Sequence, residues 1–204
     1  MGERSSGFEL VSANGVYDFV RHVQQLAERD FARDGGIKEA IFVFATRDHA
    51  TLRPLVKPTA VAVCSADTSN LSIDIFLSIG AGFIRRCAAI GVLMMMEAWT
   101  VLGPDDDDRI AISGDLADHP RRREVVNLWL EHGAFGRVLQ VWDAPIIRSP
   151  ETGARPKLGA WEHNVSEGGF RLMEAPSPFT DDAEWKGNAR QRVDWKAHRR
   201  GPLH

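Results

Sequence analysis

The chain has 204 residues, of which 44% are hydrophobic and 26% charged, and a net charge of −3. A chain of this length buries about 70% of the surface it exposes when unfolded, so one domain stands without disulfide staples. The charge balance argues against a general nucleic-acid binder. The longest apolar region, Ile73 to Val101, is broken by Asp74, Arg85, Arg86 and Glu97, which argues against a membrane span of about 20 uninterrupted apolar residues.

Residues 1–13 read as a loose lead-in without the apolar stretch of a signal peptide, so the cytoplasm is the expected location. Val16, Phe19, Val20, Val23, Leu26 and Ala27 then recur at helical spacing among polar residues, which predicts an amphipathic helix. Ser12 or Asn14 caps its start, and Asp34-Gly35-Gly36 stops it; His22 falls on the solvated face. Glu39 to Thr46 reads as a buried strand, followed by the loop trio Arg47-Asp48-His49 and by Pro54 and Pro58. Thr59 to Cys64 is a further short strand. Asp67 to Asn70 supplies capping residues for a second helix over 71–89, with a core stripe of Phe76, Ile79, Gly80, Phe83 and Cys87. This helix is apolar nearly all round, so burial on more than one side is expected.

Gly91 to Val101 is apolar on both alternating faces, the pattern of a strand inside a sheet. A polar connection carries Asp105 to Asp108 and then Asp118-His119-Pro120-Arg121-Arg122-Arg123. Glu124 to His132 and Arg137 to Arg148 read as an antiparallel pair around a glycine-bearing loop, with Pro145 marking a bulge or an edge. Leu158 to His163 and Phe170 to Met173 are short further strands. Trp129, Trp142 and Trp161 fall one on each meander strand. From Lys186 onward six basic residues face one acid, a net of +5, so residues 1–185 carry −8. Cys64 and Cys87 form neither a CxxC nor a Cys/His cluster and read as buried free thiols.

Glu97 is the sharpest chemical candidate. It shares a strand face with Leu93, Met95, Trp99 and Val101, where a carboxylate either meets a cation or has a raised pKa. The architectural reading, an ion pair with Arg121, Arg122 or Arg123, is preferred to a general acid or base. His119 is a second acid–base candidate, and the three arginines offer forks for phosphate or carboxylate. A solvated connection is again the preferred reading. The aspartate run lacks the glycine and distal glutamate of a calcium loop. The seven histidines show no zinc spacing, and no phosphate-cradling or nucleophile-elbow motif occurs, so no metal and no cofactor are expected. Arg190, Arg192, Arg199 and Arg200, with Trp185 and Trp195, form the sole candidate surface for nucleic acid, which is disfavoured as a partner.

Met96-Glu97-Ala98-Trp99, a polar loop, and then His119-Pro120-Arg121-Arg122-Arg123-Glu124-Val125-Val126 together resemble small α+β domains of bacterial and phage genomes. Those domains show a Glu-Ala-Trp strand followed by a Pro-x-Arg-x-Glu-Val segment. The likeness covers roughly residues 37–163, and the triple arginine here is more basic than the pattern. It implies a shared α+β core and a phage or mobile-element setting, with no activity attached.

The expected architecture is therefore α+β: a mainly antiparallel sheet of about five strands covered by two helices, over residues 14–175, with a basic C-terminal tail over 176–204. The expected function is a non-enzymatic binding or assembly module, with a protein partner or a second copy of the chain as its target. The alternative is a hydrolase or phosphate-handling enzyme using Glu97, His119 and an arginine of Arg121 to Arg123.

Overall fold

Ser12 opens the first helix, α1 (Ala13–Asp34), its side-chain oxygen accepting the Gly15 N–H at 3.2 Å. The computed structural model describes residues 7–64, 73–101, 122–136, 138–148 and 155–166. Gly35 ends α1 in the left-handed region at φ 75°, and its N–H donates to the Phe31 carbonyl at 2.8 Å, a closure that glycine makes without a Cβ penalty. The helix buries Val16, Phe19, Val20, Val23, Ala27 and Phe31; Leu26, expected in the same stripe, is half-buried. Leu10, within the expected lead-in, also belongs to this core.

The strands are β1 (Ala40–Arg47), β2 (Pro54–Cys64), β3 (Gly91–Val101), β4 (Arg122–His132), β5 (Leu139–Ile147), β6 (Lys157–Leu158) and β7 (Glu162–Ser166). They form one curled antiparallel sheet in the order β2-β1-β3-β4-β5-β6, with β7 also paired to β5. The sheet therefore has seven strands where about five were expected. The difference lies at its last edge: β6 pairs with Ile146 and Ile147, while β7 pairs with Leu139 to Asp143. The single strand expected over Leu158 to His163 is instead these two, with residues 159–161 in neither, and Phe170 to Met173 lie outside the described residues. β2 is also longer than the 59–64 expected. It takes in Pro54 and Pro58 because it is the edge strand, where a missing N–H removes no ladder bond on the open side.

β2 and β3 both run antiparallel to β1 and flank it, so the second helix, α2 (Ile73–Arg86), crosses over β1 to join two parallel-running strands. α1 lies on the other face. Two apolar groups result. Phe44, Leu93, Met95, Val126, Leu128, Leu130 and Trp142 pack with α1; Ile41, Val43, Ala45, Val92, Met94 and Met96 pack with Ala81, Ile84 and Cys87 beside α2. β3 is thus interior, with cover on both faces, as its sequence predicts. Of the expected α2 stripe, Gly80, Phe83 and Cys87 lie against the sheet, joined by Ala81 and Ile84, while Ile79 is 38% exposed. A Cβ on Gly80 would stand 2.5 Å from Ile41 Cδ1, so this glycine admits the close approach of helix to strand. Among the described residues, no helix is long and apolar enough to cross a membrane.

Candidate functional site

Glu97 sits on the α1 face of β3, opposite Val126 of β4. Its Oε1 accepts the Ile37 N–H at 2.9 Å, which ties the α1–β1 connection down onto the sheet. Burial pushes the carboxyl above its ordinary range, opposed by the Ile37 bond and by the positive charge of Arg148. The expected ion pair with Arg122 or Arg123 is not what holds it. Arg123 lies on the opposite face, where its Nη2 bonds Glu162 Oε2 at 2.8 Å. The reason is strand parity: neighbours on β4 point to opposite sides of the sheet.

Arg122 does share the α1 face with Glu97. Its guanidinium lies over the Trp99 ring, 4.0 Å from the centroid, while the side chain stays exposed. Beside it Arg148 Nε donates to Glu124 Oε2 at 2.8 Å. Trp99 pairs directly with Glu124, so the two arginines flank one cross-strand pair. A guanidinium over an indole face is attracted to the ring and can still offer N–H groups to a carboxylate or phosphate fork. His119, Arg121, Asp105 to Asp108 and the tail arginines Arg190, Arg192, Arg199 and Arg200 lie outside the described residues.

The other face of the sheet holds a polar cluster that sequence reasoning missed. Asn127 pairs with Asp143, and Asp143 with Glu162, so the three stand in one row across β4, β5 and β7. The Asn127 amide donates to Asp143 Oδ1. Burial pushes the Asp143 carboxyl up; Asn127 and Arg123 oppose this, and Glu162 adds to it. Glu162, exposed, is held low by Arg123. Asn127 and Asp143 are 7% and 8% exposed. Two of the cluster's atoms, Asn127 Oδ1 and Arg123 Nε, are buried and make no hydrogen bond. An unmet polar group of this kind costs about 1–3 kcal/mol. The signal in the sequence was an Asn and an Asp, each interrupting an apolar strand, in residue types that are seldom buried.

The remaining histidines of note are structural. His132 Nδ1 accepts the Ala134 N–H at 3.0 Å, so Nε2 carries the proton and donates to the Leu10 carbonyl at 3.0 Å; burial lowers its pKa. His163 stacks on Trp142 at 4.5 Å, and its Nε2 meets Gln140 Oε1, which the Tyr17 hydroxyl also reaches. The loop trio is spent on a turn, with Asp48 Oδ1 accepting from the Ala50 and Thr51 N–H groups. Trp129 and Trp142 pack into the two apolar groups, and the Trp161 Nε1–H donates to Glu28 at 2.9 Å. Among the described residues no three His, Cys, Asp or Glu side chains converge as metal ligands.

No protein-family model, curated protein or solved structure matches this chain.

Proposed function

We propose that the protein is a non-enzymatic binding module that takes an acidic segment of a partner protein at the Trp99–Arg122–Arg148 end of the sheet. The observation that carries this reading is the exposed Arg122 guanidinium laid on Trp99 at 4.0 Å. Trp99 removes rotamer freedom from Arg122 before any partner arrives, and Glu124 does the same for Arg148. Both arginines therefore lose little entropy when they accept a carboxylate. Glu97 Oε1 is engaged by the Ile37 backbone, which gives this carboxylate a part in joining the α1–β1 connection to the sheet.

The test is fluorescence anisotropy of a labelled hexaglutamate peptide with the full chain at low salt. Saturable binding is expected, weakened about tenfold or more in the doubly substituted Arg122→Gln, Arg148→Gln protein. Equal binding by the substituted protein removes the proposal. A concentration-dependent rise in mass by light scattering that the double substitution abolishes would make the partner a second copy of the chain.

A further inference from the structure

We infer that the tip of the β1–β2 hairpin, where Leu52 and Val56 stand among Arg47, Arg53, Lys57 and Arg86, docks on the surface of an anionic phospholipid bilayer. This is attachment at a surface and needs no spanning helix.

The tip is closed by its own backbone. The Asp48 N–H donates to the Arg53 carbonyl at 2.9 Å, and the Leu52 N–H to the Asp48 carbonyl at 2.8 Å. Leu52 is held in the left-handed region at φ 59°, a conformation unfavourable to a residue with a Cβ. The side chain presented from that backbone is apolar and 50% exposed, and Val56, four positions on, is fully exposed. Six large hydrophobic side chains are exposed among the described residues, and these two stand at most about 14 Å apart along the chain.

Cations gather at the same place. Arg47 pairs with Pro54 across the hairpin. The last turn of α2 is bound to this end: Arg86 Nε donates to the His49 carbonyl, and the Thr46 and Arg47 N–H groups to the Cys87 carbonyl. Residues 46–57 and 84–88 carry five basic residues, all exposed, and one acid, a net of +4 in a chain of net −3. The acid, Asp48, is engaged with the Ala50 and Thr51 N–H groups. Arg47, Arg53 and Lys57 make no ion pair among the described residues.

The two halves of this chemistry select the partner together. A nucleic-acid backbone answers the cations but has no use for Leu52 and Val56, and residues 46–57 contain no Phe, Tyr or Trp on which a base could stack. A second copy adding a strand to β2 needs its N–H groups, and Pro54 and Pro58, on either side of Val56, have none. An anionic bilayer takes both: its headgroups meet the cations, and the apolar side chains enter at the acyl boundary. The surface is separate from the Trp99–Arg122 end. Phe44 pairs with Gly91 at the start of β3, and Trp99 lies about 26 Å further along that strand.

Flotation of the full chain with vesicles at low salt tests the inference. Binding is expected to vesicles of equal parts phosphatidylserine and phosphatidylcholine, and not to phosphatidylcholine alone. Leu52→Asn removes the apolar side chain and suits the left-handed backbone, so the fold should hold while binding weakens about fivefold or more. The doubly substituted Arg53→Gln, Lys57→Gln protein should bind about tenfold or more weakly. The Arg122→Gln, Arg148→Gln protein should bind as the parent does. No binding of the parent to the anionic vesicles overturns the inference. Binding that Leu52→Asn leaves unchanged, or that the Arg122 and Arg148 substitutions abolish, overturns it too. A short DNA duplex that binds through Arg53 and Lys57, with no vesicle binding, would assign the surface to nucleic acid instead.

Discussion

The Ile37 N–H meets Glu97 Oε1 at 2.9 Å across sixty positions of sequence, and this bond fixes where α1 hands the chain to β1. Gly36 makes room for it, since a Cβ there would stand 2.9 Å from the same oxygen. The bond needs an acceptor at residue 97 and does not need a charge. Glu97→Gln should therefore keep the stability of the parent at neutral pH to within about 1 kcal/mol, whereas Glu97→Leu should lose about 1–3 kcal/mol by stranding a half-buried N–H. Urea unfolding of the two variants checks the ordering. Equal loss in both would mean that the charge is what matters.

The same residue sets a pH dependence of opposite sign to the usual carboxylate. Burial raises its folded pKa above the ordinary 4.5. The folded state then holds the proton more tightly than the unfolded state. The stabilisation linked to Glu97 is complete below pH 4.5 and is lost as pH rises through the folded value. Relative to Glu97→Gln, the parent should be most stable on the acid side of that window and decline across it. Paired urea titrations from acid to neutral pH measure the difference, and a difference that grows with pH would contradict the assignment.

Gly91 begins β3 directly opposite His132, and a Cβ on it would stand 2.2 Å from His132 Cδ2 and 2.9 Å from the Glu131 carbonyl oxygen. The imidazole cannot swing away without giving up the Leu10 carbonyl and the Ala134 N–H. Gly91→Ala should therefore cost about 1–3 kcal/mol through overpacking, despite the ordinary preference of strands for a side chain over glycine. Thermal unfolding of this variant measures the cost. A neutral outcome would show that His132 moves freely.

Much of this fold was legible. The 3.6-residue period of Val16, Phe19, Val20 and Val23 gave α1, and the unbroken apolar run of Gly91–Val101 gave a strand covered on both faces. What a single chain could not show was which of two opposite faces each β4 residue takes. Parity depends on register, and register comes from partners distant in sequence. Arg122 and Arg123 are adjacent in sequence, yet one lies on Trp99 and the other on Glu162. For the same reason the Asn127–Asp143 pair was invisible. Each residue by itself reads as a polar interruption of a strand, and only the β4–β5 register brings them together.

That pair also predicts a non-additive result. Asn127→Leu removes the donor from a buried carboxyl, and Asp143→Leu leaves the Asn127 amide unpaired at both ends. Each single change should therefore be costly. The double change removes both polar groups together and places leucine against leucine beside Val125 and Val141, so it should cost less than the sum of the singles by about 1–3 kcal/mol. A double-mutant cycle by urea unfolding gives this coupling directly. Additive losses would mean that the Asn127–Asp143 bond contributes nothing beyond what each side chain gains alone, and that the polar row is kept for something other than the sheet's stability.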